Sequence, residues 1–290
     1  MKLKNFNVDY LENIAEAFEE KESFVNSIKR MFNDGVTKDE WCWVMEEEEI
    51  FSVIIYAVFD KELEIVYINI KDFNNSDILK ESLIKMINKG FNEIGTHIYS
   101  DKINYLKYIK LFQNNKFEII QEKKSFLLES VEKSISPNRL TYLSLEEVGE
   151  EKFIKAIMEV TKNTLDQEDL LCIEEYGEYQ AAINYFNQLK GIDYNEKMWK
   201  LAYKDDKMIG LIIPQVFSKV TGAINYIGVI PEKRGNGYII DLLNKCIDIL
   251  NEEGIKKIIA DIDVNNFPLE KALQKVNFKI DSEMVVLKLK

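Results

Sequence analysis

Residues 227–238 read IGVIPEKRGNGY, and this stretch decides how the second half of the chain folds. It begins as an apolar strand and stops at Pro231, which cannot continue the hydrogen-bond ladder of a sheet. Gly235 and Gly237 permit unusual backbone angles, and an amphipathic helix is predicted from Ile239 to Leu250. A strand, a tight loop and a helix start expose N–H groups beside the positive end of the helix dipole. The spacing favours a phosphate or pyrophosphate loop, and a purely structural glycine turn is the alternative.

The composition describes an acidic chain with enough apolar residues for real cores. Of 290 residues 46% are hydrophobic, which allows one large domain or two ordinary ones. With 38 basic and 50 acidic residues the formal charge is −12. That charge disfavours nucleic acid and anionic membrane as partners, because either would need a concentrated basic face. It mildly favours a cationic or amine-bearing small molecule.

Cysteine and histidine usage limits the chemistry. Cys42, Cys172 and Cys246 are scattered and odd in number, which indicates free thiols of a reducing compartment. His97 is the only histidine and no Cys-x-x-Cys pair occurs, so we expect no metal site and no Ser-His-Asp triad. The N-terminus has no signal-peptide core and no apolar run is long enough to span a membrane, so we expect a soluble cytoplasmic protein.

The order of predicted elements repeats in the two halves of the chain. Each half has two helices, three strands, a helix, a strand, a helix and two final strands, which predicts an internal duplication. A linker is predicted at Ser134–Arg139, so the domains are expected at residues 1–133 and 138–290. In place of the glycine loop, the first half has 71–77, with no Arg-Gly-x-Gly. We therefore expect the first copy to lack anion binding.

Two details of the prediction concern the second half. Helices are expected at Glu151–Thr161 and Tyr179–Leu189, joined through the acidic segment Asp166–Asp169. Each half is expected to end in a hairpin of two strands, near 117–128 and 278–290.

The loop resembles a known one. Residues 229–238 resemble the acyl-CoA pyrophosphate loop of the GNAT superfamily of N-acetyltransferases, Arg/Gln-x-x-Gly-x-Gly/Ala after a V-x-P strand end. A second family signature is matched more loosely by Asn266 and Phe278. Both motifs fall within residues 140–290, and the first half follows only the order of elements. The resemblance implies an α/β (α+β) fold of two tandem GNAT-like domains, each a mixed, mostly antiparallel sheet flanked by helices, with a degenerate N-terminal copy.

The resemblance also implies a cofactor site for acetyl-CoA. The main chain of Ile227 and Val229 would pair with the pantetheine arm where the strand splays from its neighbour, and Asn266 would face the cofactor. The pyrophosphate would be held chiefly by backbone N–H groups of five residues: Arg234, Gly235, Asn236, Gly237 and Tyr238.

Three positions depart from the family pattern. Ile239 stands where a second small residue is usual, and Asn277 replaces a glycine before Phe278. Leu273 stands where the family often has the tyrosine that protonates the leaving thiolate. A leucine cannot donate a proton, but a CoA thiolate is a good leaving group and general acid catalysis is worth about 10²–10⁴-fold.

The general base is left open among four candidates near strand ends: Tyr226, Glu232, Asp261 and Asp263. Asp261 and Asp263 are expected on one face of their strand, where two carboxylates would raise each other's pKa. The acceptor is expected to bind the acidic and aromatic segment 164–185, which suits a cationic amine but equally suits a solvated helix pair.

These features predict a monomeric or homodimeric enzyme that moves an acetyl group from acetyl-CoA directly to a primary amine of a small molecule or peptide. Two alternatives are a non-catalytic acyl-CoA-binding regulatory module, favoured by Leu273, and a structural scaffold that pairs through the degenerate domain.

Overall fold

The structure is a computed structural model that describes residues 3–15, 21–47, 50–59, 62–70, 73, 77–129, 139–192 and 194–289. The predicted linker lies almost wholly outside the described residues, as does most of the loop at 71–77. The chain divides into two compact units. The N-terminal unit comprises Met1–Ile120 and Val285–Lys290, and the C-terminal unit comprises Gln121–Met284. The domain boundaries expected at residues 133 and 138 remain a prediction.

The first half of the chain alternates helices and strands in the predicted order. Its elements are β1 (Leu3–Asn5), α1 (Leu11–Ala15), α2 (Lys21–Asn33), β2 (Cys42–Glu47), β3 (Ile50–Phe59), β4 (Glu62–Asn69), α3 (Asp77–Asn88), β5 (Ile94–Tyr99), α4 (Tyr105–Asn114) and β6 (Phe117–Glu129).

The second half repeats this order with additional helices. Its elements are β7 (Thr141–Ser144), α5 (Leu145–Val148), α6 (Glu150–Thr161), α7 (Gln167–Tyr176), α8 (Glu178–Ile192), β8 (Lys200–Lys204), β9 (Lys207–Val216), β10 (Thr221–Val229), α9 (Tyr238–Glu252), β11 (Lys257–Asp263), α10 (Phe267–Lys275) and β12 (Lys279–Leu289).

Each unit is built on a mixed sheet in which most neighbours are antiparallel. In the N-terminal unit the order is β1-β2-β3-β4-β5, with only β4 and β5 parallel among these strands. In the C-terminal unit the order is β6-β11-β10-β9-β8-β7, with only β10 and β11 parallel among these. The predicted fold class is confirmed.

The predicted terminal hairpins are wrong. A single strand, β6, runs through 117–129, and a single strand, β12, runs through 279–289. The polar residues Glu122 and Lys123 lie in the middle of this segment, but no glycine or proline is present there to turn the chain. β6 continues because its ladder with β11 extends from Lys123, opposite Asp263, to Glu129, opposite Lys257.

The core of the C-terminal unit covers both faces of β9. Residues Ile209–Gln215 of β9 are buried in succession, as expected for a strand with helices on both sides. Helices α6 and α9 both contact this strand. Beside it, the ring of the fully buried Trp199 lies 5.9 Å from that of Phe153 and 5.7 Å from that of Phe186. This core holds β10 and α9 in fixed positions on either side of the glycine loop.

β10 and β11 pair only where they begin. Thr221–Ala223 lies opposite Lys257–Ile259, and β10 then continues to Val229 without further pairing to β11 among the described residues. On its other side β10 stays paired with β9, with one irregularity between Ile224 and Tyr226. The carboxyl-terminal half of β10 therefore has one open edge.

The close approach of β9 and β10 makes a glycine necessary at 210. A Cβ at Gly210 would lie 2.0 Å from the carbonyl oxygen of Gly228, a backbone atom that cannot move aside. Overpacking costs about 1–3 kcal/mol. We expect Gly210→Ala to lower the free energy of unfolding of the C-terminal unit by about 3 kcal/mol in urea titrations, since the whole clash falls on backbone.

Gly191→Ala is the matched control, because no atom lies within 4 Å of a Cβ at that helical position. We expect it to leave the unfolding midpoint unchanged or slightly raised. Equal midpoints for the two variants would contradict the close contact.

Candidate active site

The glycine loop forms an uncapped helix N-terminus. A 3-10 turn at Pro231–Lys233 follows β10, and Gly235 and Gly237 have φ angles of 79° and 76°, in the region that favours glycine. Gly237 is the N-cap of α9, and no side chain caps the helix there. The first N–H groups of a helix have no partner within it, so an external anion is the natural acceptor. The loop fits a pyrophosphate group.

The Arg234 side chain is committed to the protein itself. Its Nε donates to the Val229 carbonyl at 3.0 Å. Its terminal nitrogens donate to the carbonyls of Val160 at 3.0 Å, Lys162 at 2.8 Å and Asn163 at 3.0 Å. These carbonyls lie at the carboxyl end of α6, where a cation is favourable. Arg234 therefore joins the loop to α6 and β10, which leaves phosphate binding to the backbone.

The open edge of β10 exposes the main chain of Ile227 and the N–H of Val229, whose carbonyl accepts from Arg234. The N–H of Ile230 donates to Ile209 on β9 at 2.9 Å. Because backbone groups of successive residues point to opposite sides of a strand, Val229 and Ile227 point away from β9. They face the side from which β11 has diverged, in the orientation that pairing with an extended pantetheine arm requires.

The N-terminal unit contains the counterparts of these two residues. There β4 pairs with β5 only at Leu63–Ile65, and an extra residue, Val66, interrupts its ladder with β3. The extra residue in β10 is Asn225. When the two extra residues are aligned, the counterparts are Ile68 for Ile227 and Ile70 for Val229.

In the N-terminal unit, side chains occupy this open edge. Lys102 Nζ donates to the Ile68 carbonyl at 2.8 Å, and the Ile70 N–H donates to Tyr108 Oη at 2.8 Å. The same ammonium lies 4.7 Å from the centroid of the Tyr108 ring. One main-chain group of each of these two residues is therefore already satisfied within this unit.

Two basic residues beside the loop were missed by the sequence analysis. Arg139 Nε donates to Asp241 Oδ1 at 3.1 Å, and its Nη2 lies 3.5 Å from the Gly237 carbonyl. Lys204 Nζ lies 3.4 Å from Tyr238 Oη. Arg139 had been assigned to the linker and Lys204 lies at the end of β8, so only the fold brings them to α9. Asn236 donates to the Lys233 carbonyl at 3.1 Å, which tightens the turn.

The second family signature falls on α10. Asn266 Oδ1 accepts from the Leu269 N–H at 3.3 Å and so caps this helix, which leaves its amide nitrogen as the end that can contact a cofactor. Leu273 is 1% exposed and lies in the core, and its side chain has no proton to donate. Asn277 has φ of 69°, the geometry expected of the glycine it replaces.

The segment predicted as an acidic connection begins a helix instead. Asp166 caps α7, with its Oδ1 accepting from the N–H groups of Glu168 at 2.9 Å and Asp169 at 3.2 Å. Acidic residues that looked like a solvated loop are favourable in a first helical turn. α7 has no buried residue, so polar contacts hold its start in place.

Those contacts reach the end of β11. Asp263 Oδ2 accepts from the Gln167 N–H at 3.2 Å and from Gln121 Nε2 at 3.2 Å. Gln121 Nε2 also donates to Asp166 Oδ1 at 3.0 Å. Asp263 is only 2% exposed, and Asp261 on the same strand is exposed. The two carboxylates predicted to act as a pair thus lie in different environments.

The contacts also reach β10 through Asp169. Its Oδ2 accepts from Tyr226 Oη at 3.3 Å and from Thr164 Oγ1 at 3.0 Å. Burial, and then the charge of Asp166, raise the pKa of Asp169 to about 7. The Tyr185 ring lies 4.9 Å from that of Tyr226, and burial raises the pKa of both tyrosines, so both hydroxyls stay protonated.

Of the four candidate bases, the structure places Tyr226 in this cluster and Asp263 at its edge. Glu232 is exposed on the 3-10 turn and Asp261 is exposed on β11. Asp169, which the sequence offered only as part of an acidic segment, joins Tyr226 by a direct hydrogen bond. No pattern in the sequence links residues 57 positions apart.

The next two features concern metal binding and membrane-spanning helices. Within 3–289, apart from the undescribed positions, no group of three or more His, Cys, Asp or Glu is arranged to hold a metal ion. No helix in the same part of the chain is long and apolar enough to cross a membrane.

Comparison with known proteins identifies the class. Residues 163–278 match the model of the Acetyltransferase (GNAT) family. This segment, which includes β10, the glycine loop and α10, is therefore a GNAT acetyltransferase domain. No curated protein matches the sequence.

Solved structures with similar folds extend over the whole chain. A GCN5-related N-acetyltransferase from Sphaerobacter thermophilus has a TM-score of 0.68 at 11% identity, covering 99% of this chain and 94% of its own. A tandem GNAT protein from the clavulanic acid biosynthesis pathway has a TM-score of 0.55 at 11% identity, covering 99% and 97%. A GNAT-family acetyltransferase from Colwellia psychrerythraea has a TM-score of 0.53 at 12% identity, covering 100% of both chains. The family resemblance and the tandem fold are thus confirmed.

The four carbonyl contacts of Arg234 predict that lysine cannot replace it. An ammonium lacks the planar fork that reaches all four oxygens. We expect Arg234→Lys to lower the free energy of unfolding by about 1–2 kcal/mol, measured by urea unfolding, since bonds to charged donors are the stronger ones.

Arg139→Lys is the matched control, because the half-exposed Arg139 side chain pairs with a single carboxylate, Asp241, which a lysine can also reach. We expect no measurable change in its unfolding midpoint. A similar loss of unfolding free energy in both variants, or no loss in either, would contradict the stabilising role of the Arg234 contacts.

Proposed function

We propose that the C-terminal unit is an acetyl-CoA-dependent N-acetyltransferase that transfers acetyl directly to a primary amine of a small molecule or peptide. The observation that carries the proposal is the uncapped start of α9 beside the open edge of β10. Together they supply anion-binding N–H groups and a strand edge for an extended arm.

Each proposed contact has a defined partner in the chain. The N–H groups from Gly235 to Tyr238 would bind the pyrophosphate, whereas that of Arg234, expected from the sequence to join them, donates to the Pro231 carbonyl at 3.2 Å. The main chain of Ile227 and the N–H of Val229 would pair with the pantetheine arm, because the Val229 carbonyl accepts from Arg234. Arg139 and Lys204 would add positive charge near α9 in a chain whose formal charge is −12. Asn266 would contact the cofactor through its amide nitrogen.

The N-terminal unit is proposed to be a degenerate copy without cofactor. Lys102 and Tyr108 already satisfy the Ile68 carbonyl and the Ile70 N–H, in the residues that correspond to Ile227 and Val229. An acyl-CoA arm would have to displace these two hydrogen bonds, one buried and one partly buried, and each carries a desolvation penalty. One cofactor site per chain is therefore expected.

A non-catalytic acyl-CoA-binding module is the alternative, and the burial of Leu273 favours it because no acid stands there. The enzyme remains the better proposal because a CoA thiolate leaves readily without a protonated partner. The buried thiols of Cys42 and Cys246 suit the reducing cytoplasm, where we place the protein as a monomer or homodimer. We propose neither nucleic acid nor membrane as a partner.

Calorimetry tests the cofactor site. We expect acetyl-CoA to bind with one site per chain and Gly237→Glu to weaken binding at least about 100-fold, because it adds a carboxylate at an anion site with φ of 76°. Two sites, or none, would refute the proposed arrangement.

Gly254→Glu is the matched control. Gly254 has φ of 80° at the opposite end of α9, so the variant carries the same strain and charge away from the loop. We expect its affinity for acetyl-CoA to equal that of the parent protein.

A turnover assay separates enzyme from binding module. We expect thiol release from acetyl-CoA to depend on added amine across a panel of primary amines and amine-bearing peptides. Binding without amine-dependent release from any member would favour the regulatory module.

A further inference from the structure

We propose that Asp169 is the general base that takes the proton from the acceptor amine, with Tyr226 orienting its carboxylate. This assignment rests on the proposed acetyltransferase function. It arises from the position of α7, whose first turn spans the interval that β10 and β11 leave when they diverge.

The first turn of α7 is bound on both sides of that interval. Toward β10, Asp169 Oδ2 accepts from Tyr226 Oη at 3.3 Å. Toward β11, the Gln167 N–H donates to Asp263 Oδ2 at 3.2 Å. Tyr226 directly precedes Ile227, where the acyl arm is expected to run. The carboxylate of Asp169 is thereby fixed beside the strand edge that would carry the thioester.

The charges around Asp169 adjust its proton affinity. The charged groups that face it are Asp166 and Glu168 on α7, and the tyrosines that face it are Tyr226 on β10 and Tyr185 on α8. Lys123 on β6 faces Asp166 and Glu168. Burial and the charge of Asp166 raise the pKa of Asp169 to about 7, against the lowering effect of the bonds from Thr164 and Tyr226.

Asp169 is partly exposed, so an acceptor can reach it. A carboxylate with pKa near neutrality is suited to general base catalysis at neutral pH. Asp263 differs, because it is buried and its oxygens accept from three donors: Gln121 Nε2, the Gln167 N–H and the Asn265 N–H. We therefore assign Asp263 to positioning α7.

The charges of the cluster indicate the chemistry of the acceptor. Asp166 and Glu168 lie beside Asp169, and their negative charges favour a cationic group nearby. A primary ammonium meets this requirement.

The reaction balances with acetyl-CoA as the only other reactant. Asp169 takes one proton from R–NH₃⁺, and the nitrogen lone pair forms a bond to the thioester carbonyl carbon. The carbon–sulfur bond breaks and its electron pair leaves on the CoA thiolate. The nitrogen then loses a second proton to the thiolate, which gives the amide and free CoA thiol, and Asp169 returns its proton to solvent.

The test compares Asp169→Asn with the parent protein. We expect its kcat to fall about 10²–10⁴-fold while acetyl-CoA affinity and the unfolding midpoint stay close to the parent values. In the parent protein the reaction needs the carboxylate form of Asp169. Its kcat/KM should therefore be low below about pH 7 and rise as the pH is raised through that value, which gives the pH profile an acidic limb. This acidic limb should be absent from the residual activity of Asp169→Asn.

Two further variants should move the acidic limb of the pH profile in opposite directions. Asp166→Asn keeps a helix cap but removes a like charge, so the limb should move to lower pH. Tyr226→Phe removes a hydrogen bond that stabilises the carboxylate, so the limb should move to higher pH. Glu175→Gln, at an exposed position in the last turn of α7, is the control and should keep the parent kcat.

The outcomes separate this assignment from the function on which it rests. An active parent whose Asp169→Asn variant keeps both its rate and its acidic limb would overturn the base assignment alone. A parent without amine-dependent thiol release would instead refute the proposed enzyme. If Asp169 had a purely structural role, Asp169→Asn would lower the unfolding midpoint, and the acidic limb would lie at the parent pH in Asp166→Asn and Tyr226→Phe. That result would also overturn the assignment.

Discussion

The central constraint in this protein is that two parallel strands part after three paired residues. Where β10 leaves β11, its backbone donors and acceptors lose their partners, and buried polar groups without partners are costly. The C-terminal unit satisfies the Val229 carbonyl with Arg234 and the Asn225 carbonyl with Tyr185, and the edge between them is where we propose that the ligand pairs. The N-terminal unit meets the same constraint with Lys102 and Tyr108. One geometric feature thus has two solutions within a single chain.

The glycine loop depends on the same constraint. Positive φ angles at Gly235 and Gly237 turn the chain from the open edge into α9, so that the helix dipole points at the place where the strand edge ends. Arg234 ties the loop to the carboxyl end of α6, because carbonyls at a helix end need donors. The loop is therefore held by polar contacts, and its N–H groups face outward.

The proposed acceptor side of the site is held by polar contacts as well. α7 carries no buried residue, and its first turn is bound to both diverging strands through Asp169 and Gln167. A carboxylate held in this way is partly desolvated and close to Asp166, and both effects make its neutral form more favourable. The positions of β10 and β11 therefore influence the pKa of Asp169, a residue that lies on neither strand.

The sequence by itself determined the loop, the duplicated order of elements, the mixed sheet and the family, because glycine spacing, a strand-ending proline and apolar periodicity act over a few neighbouring residues. It misjudged β6 and β12, where polar residues stay in a strand because a distant partner strand pairs with them. Only the tertiary structure decided that Arg234 binds carbonyls, that Lys102 occupies the first unit's open edge, and that Asp169 meets Tyr226. Apart from the bond of Arg234 to the Val229 carbonyl, each of these contacts joins residues more than 30 positions apart, and long-range proximity leaves no local pattern in a single sequence.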